Sequence, residues 1–203
     1  MLIKLLPNCA RRLYSTSSLL NIKTLDDWIA SEKSISLTSS LNPEHLADLY
    51  ATLPTRDSTR GEPFSPPSKG LKLGYGHHLV FFHPHNPESI LRPDGTDADF
   101  CPPEPFTRRM WAGGCMRWYG SLAMGERVTS MSRVSSVEKK GFEKGMPIVF
   151  VNQTIDYRRS GMSEVNITEE RSHVYLPPGH NKREAREGRQ CAFYSGRSFA
   201  HFQ

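Results

Sequence analysis

The sequence predicts an α+β fold in which an antiparallel sheet packs on helix, and three observations predict it. Two segments in the first quarter of the chain carry helix caps and apolar residues at helical spacing. Four segments between 115 and 176 alternate, or run apolar, over strand lengths. The links between those four are short, which favours an antiparallel meander, and a sheet with one apolar face needs a helix layer to cover it.

The chain opens without an acidic residue until Asp26. Ahead of it, MLIKLLPNCARRLYSTSS interleaves apolar residues with Lys4, Arg11 and Arg12 and ends in a Ser/Thr run. This Arg-rich, Ser-rich, acid-poor composition is that of a mitochondrial transit peptide, a cationic segment drawn to import receptors and to the membrane potential. Arg12 stands two residues before a cut after Tyr14, so residues 1–14 are expected to be the leader and the matrix the destination. Pro7 and Asn8 interrupt the apolar core that a secretory signal needs.

The first helix is expected to open at Thr24-Leu25-Asp26-Asp27, an acid three residues after threonine, with Leu25, Trp28 and Ile29 as its apolar stripe. The second starts at Asn42-Pro43-Glu44, which supplies a cap, a proline at the first helical position and an early acid. Leu46, Leu49, Tyr50 and Leu53 recur on one face, and Pro54 ends it. SLTSS between the helices reads as a linker, and residues 54–74 as an extended connection rich in Pro, Gly and Ser.

From His77 the texture becomes strand-like, beginning with the apolar run HHLVFFH (77–83). Residues 84–107 hold six prolines and an Asp94-Gly95 turn, and so long an irregular stretch is usually functional or draped over the surface. The four strand candidates follow. In 115–122, Met116, Trp118, Gly120 and Leu122 share a face. Glu126 to Val137 is Ser-, Thr- and Val-rich. Ile148 to Tyr157 begins wholly apolar and then alternates, as a central strand does. Last, Ser172, Val174 and Leu176 alternate with His173 and Tyr175.

Composition narrows the function classes. With 203 residues, 37% of them hydrophobic, the chain suits one domain plus ends, and no apolar run approaches the ~18 residues of a membrane span. Its four cysteines are widely spaced and read as reduced thiols rather than a disulfide framework or zinc site. The net charge of +5 comes from the ends. Residues 1–14 contribute +3 and residues 179–203 another +3, five cations against two acids, which leaves about −1 for the body. A nucleic-acid binder needs a concentrated basic face, so none is expected as partner. The stretch 179–203 is expected to be a basic, poorly ordered tail.

The local motifs are weak by themselves. His77, His78, His83 and His85 cluster, but Pro84 splits the last pair and no carboxylate or cysteine completes a metal site, so no metal and no cofactor is expected. Gly74-Tyr75-Gly76 and Gly113-Gly114 are too short to cradle a phosphate. The second pair suits a bulge or a close backbone approach, which could serve packing or a ligand. Arg108-Arg109-Met110-Trp111 offers anion-binding guanidiniums beside a flat ring, or a solvated edge with an aromatic anchor.

HLVFF (78–82), PDGTD (93–97), RRMWAGG (108–114), VFVNQTIDY (149–157) and EERSHVYL (169–176), preceded by DDWIA (26–30) and LADLYATL (46–53), give the chain a family resemblance. Over residues 25–178 it resembles the N-terminal repeat of the MaoC-like dehydratases. The group it is most similar to is the fungal mitochondrial hydroxyacyl-thioester dehydratase type 2 and its bacterial relatives, among them mesaconyl-CoA hydratase. The resemblance implies a hot-dog fold, an antiparallel sheet wrapped around a long helix, whereas 84–107, where that helix would lie, reads as loop.

It also implies a hydro-lyase acting on 3-hydroxyacyl thioesters of CoA or acyl carrier protein, in mitochondrial fatty acid synthesis. A base takes the proton from carbon 2, an acid protonates the leaving hydroxyl, and hydrogen-bond donors hold the thioester oxygen. The resemblance places the catalytic Asn or Asp and His in a second repeat, and 27 residues after Leu176 are too few for one. YSGRSFAH (194–201) resembles the opening of the catalytic segment, which makes His201 a candidate remnant without its asparagine. Arg109, Trp111, Gly113 and Gly114 are then the candidate substrate-binding residues. Three functions are consistent with this: a dehydratase half inactive alone, an active dehydratase completed by a partner chain, or a non-catalytic acyl-thioester binder or scaffold. A homodimer or a catalytic hot-dog partner is expected in each.

Overall fold

The computed structural model describes residues 20–53 and 66–178. The leader (1–14), part of the 54–74 connection, the tail (179–203) and His201 lie outside the described residues. Two helices, α1 (Ile22–Ala30) and α2 (Pro43–Thr52), flank a strand β1 (Ser34–Ser40). The remaining strands are β2 (Arg108–Trp118), β3 (Arg127–Lys140), β4 (Ile148–Arg159) and β5 (Ile167–Leu176). They form one antiparallel sheet in the order β1-β3-β4-β5-β2.

Both expected helices form, the second where its cap places it. The Asn42 side chain accepts from the Glu44 amide at 2.8 Å and Pro43 occupies the first turn. In α1 the cap is Asn21, three residues ahead of the expected threonine cap, and it accepts from the Thr24 amide at 3.1 Å. Leu25 and Leu46 are the fully buried residues of the two stripes.

Three sequence expectations need correction. SLTSS is not a linker but most of β1, an edge strand on β3 whose Thr38 and Thr129 hydroxyls meet at 2.9 Å. Its alternation of Ile35 and Leu37 with serines is a period-two pattern that small polar residues disguise as loop. HHLVFFH is not a strand; His77–Val80 form one 3-10 turn instead. The strands are not a simple meander. β3, β4 and β5 are consecutive neighbours, but β2 crosses to the far side of β5, and it begins at Arg108 rather than at Cys115.

The stretch 84–107 contains only the short 3-10 turn Glu88–Ile90, so it is loop where a long helix was implied. Its Asp94-Gly95 turn forms as expected. Gly95 takes a positive φ of 76°, while the Asp94 carboxylate accepts from the Thr96 hydroxyl at 2.7 Å.

Strand register dictates where the core sits. One face of β4 presents Val149, Val151, Gln153, Ile155 and Tyr157; the paired residues of β5 are Tyr175, His173, Arg171, Glu169 and Ile167. The ends of this face are apolar and the middle is polar. At one end Val149, Val151 and Tyr175 pack with Leu25 of α1 and Phe106. At the other, Ile155, Tyr157 and Ile167 pack with Leu46 of α2, Leu41, Phe81, Leu122, Met124 and Val128. Two apolar clusters thus close the ends, and a polar belt lies between them under the 84–107 loop.

Candidate functional site

The belt encloses a cavity of about 260 Å³. Arg109 on β2, Gln153 and Tyr157 on β4, and Arg171 and His173 on β5 line the sheet side. Asp97 and Asp99, carried on the loop after the Asp94-Gly95 turn, line the opposite side. The Asn86 amide fixes Asp97 by donating to its carboxylate at 2.8 Å. Burial and the neighbouring Asp97 carboxylate push Asp99 above the usual carboxylate range.

Glu169 is the buried carboxylate of the belt, 2% exposed. Arg171, two residues along and therefore on the same face, donates through Nε to Oε1 at 2.6 Å and through Nη2 to Oε2 at 3.0 Å. The Tyr157 hydroxyl donates to Oε2 at 3.0 Å. Burial, reinforced by the Glu169 charge, drives the Tyr157 phenol far above its ordinary value and keeps it a donor. With three donors on its two oxygens, Glu169 is a structural anion that neutralises Arg171 rather than a base aimed into the cavity.

His173 is the imidazole of the belt. Burial lowers its pKa, and the charges of Arg109 and Arg171 lower it further, so the ring stays neutral at physiological pH. Its Nδ1 is buried with no hydrogen-bond partner among the described residues. Tyr175, opposite Arg109 on the neighbouring strand, is likewise pushed upward by burial and by the Cys101 thiol 3.5 Å away. The chemistry on offer is polar recognition: guanidinium and amide donors and a neutral imidazole around a small volume. Among the described residues, no group of three His, Cys, Asp or Glu is placed to hold a metal ion.

The four candidate substrate-binding residues are therefore distributed. Arg109 lines the cavity. Trp111, one pleat along on the same face, is 60% exposed and sits edge-on to His173 with centroids 5.4 Å apart. Gly113 and Gly114 line a separate recess of about 350 Å³ beside Asn152, Glu170 and Ser172. They follow a bulge between Trp111 and Gly113. A Cβ on Gly114 would lie 2.4 Å from the Glu170 carbonyl oxygen, so the close backbone approach is what requires glycine there.

Sequence reasoning missed Glu169, Arg171, Tyr157 and His173 as a unit. The signal was present in EERSHVYL, whose odd-numbered residues are all polar or aromatic and share one face. Beside Val174 and Leu176, that face reads as the solvent side.

Comparison with known proteins bears on this arrangement. The profile of the family described as hydroxyacyl-thioester dehydratase type 2 matches residues 76–199. Mesaconyl-C(4)-CoA hydratase of Chloroflexus aurantiacus is 33% identical over 104 residues, 50% of this chain and 36% of that protein, so the match spans about a third of the relative's length. Among solved structures, a chain of the ChsH1–ChsH2 complex from Mycobacterium tuberculosis aligns with a TM-score of 0.52 at 12% identity. That alignment covers 79% of this chain and 93% of that one. A MaoC-like dehydratase from Rhodospirillum rubrum aligns at 0.45 and 13% identity, covering 76% and 97%. The five-stranded sheet with its flanking helices is the hot-dog fold.

Proposed function

The chain belongs to the hydroxyacyl-thioester dehydratase type 2 family, and on that premise we propose that its hot-dog unit is the acyl-thioester-binding half of a 3-hydroxyacyl-thioester dehydratase of mitochondrial fatty acid synthesis. In this reading the unit is inactive by itself and forms one wall of the substrate site. Another hot-dog unit brings the acid and base that remove water across carbons 2 and 3.

The observation that carries the reading is the polar belt. It gives Arg109, Gln153 and neutral His173 as hydrogen-bonding groups for a thioester, while its buried carboxylate, Glu169, is fully engaged by Arg171 and Tyr157. A wall whose buried carboxylate is already engaged fits a half-site that takes its reacting acid and base from another unit.

A second reading, in which a partner chain completes an active dehydratase, draws on β2. This strand of 11 residues lies at the sheet edge, with Met110 and Trp111 exposed. A long apolar edge strand invites pairing with another chain. The Mycobacterium tuberculosis fold neighbour is itself part of a two-component complex.

Hydration of crotonyl-CoA by the purified chain, followed by loss of enoyl absorbance, tests the reading together with calorimetric titration of the same thioester. Binding without turnover is expected, and Arg109→Met should weaken binding. Turnover above buffer by the isolated chain would overturn the inactive-half reading, and absence of both binding and turnover would overturn the thioester-wall reading.

A further inference from the structure

Phe100, which forms part of the wall of the belt cavity, has a φ of 59°. Among the described residues it is the non-glycine in the left-handed region; the other turns that need such a φ, at Gly95, Gly141 and Gly161, use glycine. An L side chain is disfavoured there because its Cβ crowds the following carbonyl, and for a bulky ring the conformation is a true outlier. Phe100 is the third residue of the turn Ala98-Asp99-Phe100-Cys101, which closes where the Cys101 amide donates to the Ala98 carbonyl at 3.0 Å. A turn with a left-handed third residue calls for glycine or asparagine at that place.

The strained turn is held from both sides by weak anchors. On one side the Asn86 amide donates to the Asp97 carboxylate at 2.8 Å. On the other the Cys101 thiol meets the Asp97 carbonyl at 3.7 Å and the Tyr175 hydroxyl at 3.5 Å, and sulfur is a weak partner in both contacts. Beyond these points the chain is fixed. The Arg92 amide donates to the Thr96 carbonyl at 2.8 Å, Pro102 is buried, and Phe106 belongs to the apolar cluster at one end of the belt. The span able to move is therefore 97–101. Its two carboxylates add to the strain, since Asp99 is half-buried beside the Asp97 charge. Backbone and charge thus both oppose the closed turn, and the packing of Phe100 and Cys101 against the belt offsets them.

We propose that residues 97–101 form a strained strap that closes the belt cavity and opens by release of the turn at Phe100. Opening returns Phe100 to a negative φ, withdraws it from the cavity wall and uncovers the Cys101 thiol. The strain held in the closed turn lowers the cost of displacing Phe100 when a guest enters. Only the identity of that guest rests on the thioester reading; the strap does not.

Cys101 reports the opening. In the full chain carrying Cys9→Ser, Cys115→Ser and Cys191→Ser it is the sole thiol, and its reaction with a chromogenic aromatic disulfide is followed across low denaturant concentrations. Labelling is expected to be far slower than in the unfolded chain and nearly independent of denaturant, as local opening requires. Phe100→Ala and Phe100→Gly, made in this background, both remove the ring, but only glycine also removes the backbone strain. The glycine variant should therefore label about fivefold more slowly than the alanine variant. Asn86→Ala, which frees Asp97, should label faster than the background chain. Labelling that needs global unfolding, labelling as fast as in the unfolded chain, or equal rates in the two Phe100 variants overturns the strap. Crotonyl-CoA should raise the labelling rate of Cys101. Calorimetric binding of crotonyl-CoA with no rise in labelling overturns the strap as an entrance. Absence of binding sinks the thioester reading instead, and the pair of Phe100 variants still decides the strap.

Discussion

Replacing Arg171 by methionine removes the partner that neutralises Glu169 while keeping much of the side-chain length. Losing one member of a buried ion pair costs about 3–5 kcal/mol, because the other charge is left desolvated. Two features reduce that here. The Tyr157 hydroxyl still donates to Oε2 at 3.0 Å, and the Arg171 side chain is itself 32% exposed, so water partly screens the pair. That leaves about 2–3 kcal/mol. For a chain of this size it corresponds to a fall in melting temperature of about 5–10 °C, readable by circular dichroism, with denaturant titration giving the free energy directly. The double variant Glu169→Gln/Arg171→Met is the control. It removes both charges but leaves an amide oxygen to accept from Tyr157, so it should recover at least half of the loss. A single variant within about 0.5 kcal/mol of wild type, or a double variant as damaged as the single one, would refute the assignment of Glu169 as a buried structural anion.

Further outcomes follow from other parts of the molecule. Gly114→Ala should cost about 2 kcal/mol or more in chemical denaturation, since its Cβ would meet the Glu170 carbonyl oxygen at 2.4 Å and force β2 from β5; an unchanged midpoint would contradict that close approach. His78, faced by Glu169, Arg171, His77 and the Tyr157 ring, has its pKa lowered on folding. The unfolded chain therefore takes up its proton first, so the stability this neutral ring contributes is present above its ordinary value of 6.5 and is lost as pH falls below that value toward the folded-state pKa. The decline in stability from pH 7 to pH 5 should be shallower in His78→Phe, and identical slopes would show that His78 does not titrate differently on folding. For targeting, a tagged chain without residues 1–14 should fail to enter mitochondria, and its presence there by fractionation would remove the basis of the localisation proposal.

The sequence by itself determined the class of fold and the elements with strong local signals. Asn42-Pro43-Glu44 caps a helix through contacts within three residues, and IVFVNQTIDY is too apolar and β-branched to be anything but an inner strand, so α2 and β4 were legible. The Asp94-Gly95 turn was legible for the same reason, its conformation being set by the φ that glycine permits. The motifs from HLVFF to EERSHVYL also carried the family. What local signals could not supply was partnership. SISLTSS becomes a strand only because β3 offers it an edge, and its own serines favour loop as readily. The placement of β2 beside β5 depends on a chain crossing that no short window encodes.

The candidate site shows the same division. Arg109 was singled out from its neighbours in sequence, but Tyr157, Glu169 and Arg171 become one hydrogen-bonded unit only when β4 and β5 pair in register, and His78 reaches Tyr157 only when a 3-10 turn folds onto that pair. Tertiary structure alone decided that the polar face of EERSHVYL points inward. A period-two pattern tells which residues share a face; which face is buried depends on the loop and helices that cover it.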